Sequence, residues 1–231
     1  ARTIRMLAGG YKGDRQTLIE SLIDKYKQTG GDSFQALSYK GPPNDTLDEP
    51  ITVAELYAAA HDIRQNTTPG EDGITNVMLH NLSNEQLGRL VNYFNKDISE
   101  TGAIPQQWKE ATMVLIPKPE KQKALHNLRP ISLTSCLAKL FEKIIVVTLS
   151  DHIERHNLLS VYMYGFRKHL PTEDVFLKLR DEVINVPTGA ENIVVALDLK
   201  SALNPMSHKL IMEKLQQMDC GQRILTMSSP S

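Results

Sequence analysis

Residues 193–203 read IVVALDLKSAL. Ile193 to Leu197 form an unbroken apolar run with the composition of a strand buried on both faces, and about four to eight residues is the usual length of one. Asp198 ends the run. A carboxylate at that place is lifted to the rim of a sheet, where a metal or a substrate reaches it; the alternative is an Asp that caps the next turn. Working outward, helical patterns dominate and strand-like runs are few and short. The expected fold class is therefore α+β, helix-rich with short strands.

Composition sets modest bounds. A chain of 231 residues accommodates one large domain or two small ones. The net charge of −1 gives the whole chain no electrostatic reason to coat nucleic acid, so any basic surface must be local. Cys136 and Cys220 are the only cysteines, too few for a disulfide framework or a four-cysteine zinc site. This points to a reducing, intracellular location, cytoplasm or nucleus. No apolar run approaches the ~20 residues of a membrane span, so no membrane is expected as a partner. ARTIRMLAGG at the start lacks the apolar centre of a secretion signal.

Asp14 begins a predicted helix with Leu18, Ile19, Leu22, Ile23 and Tyr26 on one face, and Gly30-Gly31 ends it. The Gly41–Pro50 loop is rich in turn residues and marks a boundary. Residues 1–50 thus read as a helical segment with a linker, and 51–231 as the main domain. Thr52 with Glu55 and Ser83 with Gln86 have capping-box spacing. The first predicts a helix to about Gln65. The second predicts one that carries Leu87, Leu90, Val91, Phe94 and Ile98 and stops at Gly102. TPGEDG, 68–73, is a turn. Met113–Ile116 and Arg129–Leu133 read as strands, and Ser135 to His156 as the longest helix. Thr172 starts another helix, Pro187-Thr188-Gly189 turns, and Ser207 to about Met218 forms the last one.

Between Pro117 and Lys143 stand Lys118, Lys121, Lys123, Arg129, Lys139 and Lys143 against Glu120 and Glu142, an excess of four positive charges. Cations on a hairpin can neutralise phosphates, and prolines 117, 119 and 130 fix where they point. The alternative is solvated surface. Gly165-Phe166-Arg167 offers a further cation beside a turn glycine. His152 and His156 have zinc-chelating i, i+4 spacing but no evident third ligand, so a polar helix end explains them better. Trp108 reads as a packing anchor.

Five segments in one order carry a resemblance: TPGEDGI (68–74), IPQQWKEATMVLIPKP (104–119), LRPISLTSCLAKLFEKII (128–145), YGFRKHLPTED (164–174) and ALDLKSALNPMSHKLIMEKL (196–215). Together they resemble the reverse transcriptase of non-LTR retrotransposons, closely so to the retrotransposon copies abundant in tick genomes. The resemblance implies a partial right-hand polymerase, comprising the fingers and the first palm strand, truncated after the first palm motif. It implies RNA-directed DNA polymerisation with an RNA template, a DNA primer, deoxynucleotides and two Mg ions, which as a pair stabilise both the attacking and the leaving oxygen. Asp198 matches the first palm carboxylate, catalytic and metal-binding, and the Leu199 carbonyl would also face a metal. Lys118 and Arg129 match the fingers cations on the incoming triphosphate. Gly165, Phe166 and Arg167 match a template-side segment.

Departures shape the expectation. Where the family reads Ala-Phe-Asp, this chain reads Ala202-Leu203-Asn204. Leu203 stands at the nucleotide sugar in place of an aromatic, which puts sugar discrimination in doubt. The family's hairpin of two adjacent Asp residues has no counterpart in the 231 residues. One carboxylate does not hold two hard cations, which take several oxygen ligands each. The expectation is an enzyme-family fragment that does not polymerise alone. The alternatives are a non-catalytic nucleic-acid or nucleotide-binding remnant, or a degenerate copy. Oligomeric state is left open.

Overall fold

The structure is a computed structural model. It describes residues 14–26, 39, 41–117, 128–168, 170–184, 193–198 and 207–228. In chain order the elements are α1 (Arg15–Tyr26), α2 (Val53–Asp62), α3 (Asn76–His80), α4 (Asn84–Asn92), a π-helical continuation (Tyr93–Ser99) and α5 (Gln106–Lys109). Strands β1 (Thr112–Pro117) and β2 (Leu128–Leu133) follow, then α6 (Cys136–Arg155), α7 (Thr172–Leu179) with a π-helical turn (Arg180–Ile184), α8 (His208–Gln217) and α9 (Gly221–Ser228). They fall into two compact units, 1–149 with 207–231, and 150–206.

The first unit is built on caps that the sequence announces. The Thr52 hydroxyl accepts from Glu55 N at 3.2 Å, and the Glu55 carboxylate accepts from Thr52 N at 2.8 Å. Ser83 and Gln86 do the same for α4. Each pair satisfies N–H groups that the first helical turn leaves free. Gly102, at φ 68°, closes the π-helical segment and donates from its N–H to the Ile98 carbonyl at 2.8 Å. The helix after Thr52 ends at Asp62, short of Gln65, with Ile63 extended.

Leu56 and Ala60 of α2, Leu87 and Val91 of α4, Phe94 and Ile98 of the π-helical segment, and Leu140, Phe141 and Ile144 of α6 share one core. Trp108 meets Phe94 edge-on, 6.1 Å between centroids, and Phe94 meets Phe141 at 5.0 Å. Both geometries suit the ring quadrupoles. Asn95 ties this core to the incoming chain: its side-chain amide accepts from Ile51 N at 2.8 Å and donates to the Ile51 carbonyl at 2.9 Å.

A smaller core joins Leu47 to Cys220 and Ile224. Here the structure corrects one expectation, because the helix over 207–218 is not the last. Gly221, at φ 76°, turns the chain into α9, and Asp48 accepts from Arg223 N at 3.0 Å. The cap is therefore supplied from more than 170 residues away in sequence, which no local pattern announces.

A second correction concerns residues 193–198. They form no strand; Ile193, Val194, Val195 and Leu197 are exposed. A strand is completed by hydrogen bonds from neighbours, and among the described residues the one sheet is β1 with β2, in the first unit. The first palm strand is thus not formed. Outside the described residues lie Gly30-Gly31, Lys118, Lys121, Lys123, the Pro187–Gly189 turn, Leu199, Leu203 and Asn204, and the side chains of Leu18, Leu22 and Tyr26.

Candidate functional site

The two strands that flank the basic loop pair as the sequence suggests. β1 and β2 are antiparallel, with Ile116 opposite Arg129 and Val114 opposite Ile131. Opposed residues share a face, and Arg129, Ile116 and Ile131 are all exposed on theirs. The 68–73 turn lies against the chain just past the end of β2. A Cβ on Gly70 would come within 2.8 Å of Ser135 N and 2.9 Å of Thr134 C. Two of the quoted segments therefore touch backbone to backbone. Thr112 donates to Glu71 at 3.3 Å and joins the turn to β1. The positive excess is partly spent: Lys143 pairs with Asp62 at 2.6 Å. Burial raises the Glu142 carboxyl above its usual range while the neighbouring Lys139 opposes that shift.

In the second unit the GFR turn has a geometry the sequence did not disclose. Arg167 is not free. Its Nε donates to Glu154 Oε1 at 2.8 Å and its Nη2 to Glu154 Oε2 at 2.6 Å. Its Nη1 donates to the carbonyls of Ser160 and Met163, both at 3.2 Å. The bonds to Glu154 raise the guanidinium pKa further. Phe166 beside it has φ 63° and a fully exposed ring, and Gly165 has open space around it. Glu154 is the neighbour of this turn that the sequence did not disclose. The available signal was an acidic residue in the last turn of a helix, where the macrodipole disfavours it unless a cation compensates.

Asp198 is exposed at the end of its irregular segment. Among the described residues no cluster of three or more His, Cys, Asp or Glu could hold a metal ion. Two divalent cations need several oxygen ligands apiece, so the described residues do not fit the Mg pair. His152 is buried and its ring lies 4.4 Å from that of His156, whose Nδ1 meets the His152 carbonyl. That is a helix-end packing pair. Arg129 belongs to the first unit, and Asp198 with the GFR turn to the second.

A cleft of about 520 Å³ in the first unit is lined by Asp48, Asn95, Ser99 and Arg223 among others, and by none of the sequence-predicted site residues. Burial lowers the Arg223 pKa, and its guanidinium donates to the Glu49 carbonyl. No helix among the described residues is long and apolar enough to cross a membrane.

Comparison with known proteins fits this layout. Residues 116–229 match the family described as reverse transcriptase (RNA-dependent DNA polymerase). The chain is 28% identical over 172 residues to the "Probable RNA-directed DNA polymerase from transposon BS" of Drosophila melanogaster, covering 74% of this chain and 19% of that protein. It is 24% identical over 181 residues to the RNA-directed DNA polymerase from mobile element jockey of the same fly, 78% of this chain and 20% of the relative. It is 26% identical over 171 residues to the retrovirus-related Pol polyprotein from type-1 retrotransposable element R2 of Popillia japonica, 73% and 22%. The chain spans about a fifth of the length of these relatives. Residues 116–229 thus resemble a reverse-transcriptase domain, and the relatives are polymerases of non-LTR retroelements. Among the described residues of the chain there is no intact metal-coordinating catalytic site.

Proposed function

We propose that this chain is the fingers and the start of the palm of a retroelement RNA-directed DNA polymerase, and that these 231 residues alone do not polymerise. Residues 1–50 would be a preceding helical segment and linker, and 51–231 the polymerase portion. The observation that carries the reading is the match over residues 116–229, which begins at Ile116 near the end of β1 and takes in β2 with Arg129 exposed on it. In this reading Lys118 and Arg129 hold the triphosphate of an incoming nucleotide, Leu203 faces its sugar, and Gly165–Arg167 lie on the template side. Asp198 and the Leu199 carbonyl are metal ligands that further carboxylates would have to complete. The setting is intracellular, cytoplasm or nucleus. The likeness to tick copies rests on the quoted motifs.

Primer extension on an RNA template with magnesium and deoxynucleotides tests the catalytic half of the proposal. No extension is expected. Extension that disappears in Asp198→Ala would show a metal site completed by other groups and would overturn it. The second reading, a non-catalytic nucleic-acid or nucleotide binder, draws on the exposed Arg129. It expects binding that weakens with salt and weakens further in Lys118→Ala/Arg129→Ala. Binding indifferent to both would count against it.

A further inference from the structure

Residues 44–49 have the composition of a linker, yet they seat the last helix of the first unit. The Asn44 side-chain amide donates to the Asp219 carbonyl at 2.7 Å. Its oxygen accepts from Thr46 N at 3.1 Å and from Leu47 N at 2.9 Å, which folds the segment into a turn. Leu47 is thereby set into the smaller core against Cys220 and Ile224. Asp48 accepts from Arg223 N at 3.0 Å, and its Oδ1 lies 2.5 Å from where a Cβ on Gly221 would stand. Consecutive residues of one short segment thus hold 219–224 by a carbonyl tie, a buried side chain and a helix cap.

Arg223 closes the same junction from the other side. Its guanidinium donates to the Glu49 carbonyl, and its Nη2 reaches Asn95 Oδ1 at 3.4 Å and Ser99 Oγ at 3.3 Å on the π-helical segment. No acceptor in this set is a carboxylate, and the buried Nε has no hydrogen-bond partner. Burial lowers the guanidinium pKa although Asp48 and Glu55 pull the other way. A half-buried cation held by neutral oxygens loses in desolvation much of what its hydrogen bonds contribute. The junction is well specified in geometry and weak in free energy. The larger core is built otherwise, from the buried side chains of α2, α4, the π-helical segment and α6. A region with little buried apolar surface opens by itself while a larger core stays closed.

We propose that residues 44–49 are a latch on α9. Closed, the latch orders 219–225 and covers Cys220; released, it frees α9 and exposes that thiol while the larger core stays folded. The family match starts at residue 116, so it contains α8 and α9 and leaves the latch outside. Order at the far end of the matched portion then depends on a segment well upstream of it. A force or a partner acting on the chain before residue 44 biases α9 through this junction, and the folded unit begins before residue 51.

The test uses the full chain, iodoacetamide, and peptide mass spectrometry to follow Cys220 and Cys136 separately, both being fully buried. In the wild type Cys220 should label faster than Cys136, through local opening. Asp48→Ala should speed the labelling of Cys220 about five- to tenfold, the effect of a lost helix cap on a local opening equilibrium, and leave Cys136 as it was. Asn44→Ala, which removes the tie to Asp219 and spares the cap, should act in the same direction. Asp48→Asn keeps an acceptor for Arg223 N and should restore most of the protection. Equal labelling of the two thiols in the wild type, or both speeding up together in the alanine variants, would mean that Cys220 is reached only when the whole unit unfolds, and would overturn the latch. Labelling of Cys220 that is unchanged in both alanine variants would overturn it as well, because residues 44–49 would then not be what covers the thiol.

Discussion

Gly70 shows how one missing side chain joins two motifs. Backbone of residues 134 and 135 occupies the space its Cβ would fill. Gly70→Ala should therefore destabilise the first unit by about 1–3 kcal/mol, the usual cost of overpacking against backbone, read from urea midpoints. Cys220 makes a pH-dependent contribution. It is fully buried, and burial, with Asp219 beside it, pushes its thiol from 9.0 up to about 11. Between those values the unfolded chain releases a proton that the folded chain keeps. Stability must fall as pH rises through that window. The loss approaches about 2–3 kcal/mol at its upper end, since each pKa unit corresponds to roughly 1.4 kcal/mol. Cys220→Ala should flatten the difference between melts at pH 9 and pH 11, while its own cavity cost appears at both.

At the scale of elements, local caps and remote caps behave differently. Thr52 and Glu55 satisfy each other within one turn, so Thr52→Ala should cost about 1 kcal/mol, read by denaturation. The start of α9 depends instead on Asp48, which accepts from Arg223 N and also from Asn44 N at 2.9 Å. Asp48→Ala removes a helix cap and a loop tie together. It should raise amide exchange across 221–225 and 44–48 in concert, while α2 keeps its protection; exchange rising in only one of the two segments would show that they are not coupled. Both capping boxes were legible because their partners are three residues apart. The Asp48 cap was not, because nothing within one turn of Gly221 names its partner. The segment over 193–198 failed for a related reason: its apolar pattern states what the side chains would bury against, and supplies no neighbouring strand.

At the scale of the whole chain, burial is uneven. Every buried apolar residue among those described belongs to the first unit, and His152 is the buried residue described in the second. Segments with little buried apolar surface open at low free-energy cost. Amides of 150–184 should accordingly exchange by local opening, well before those of α2, α4 and the first turns of α6, and equal protection in both units would contradict this. The exposed apolar side chains of Phe176, Leu177, Val194 and Leu197 belong to that same second unit. The capping boxes of α2 and α4, the long helix after Ser135, the antiparallel hairpin, the Trp108–Phe94–Phe141 packing positions and the family resemblance were all legible in the sequence, because each depends on neighbours a few residues apart or on motif order. Tertiary structure alone decided that Arg167 is clamped by Glu154, that Gly70 lies against Ser135, that Asp48 caps α9 and that 193–198 forms no strand. Those outcomes depend on which distant groups arrive to complete a hydrogen bond, and spacing along the chain carries no record of them.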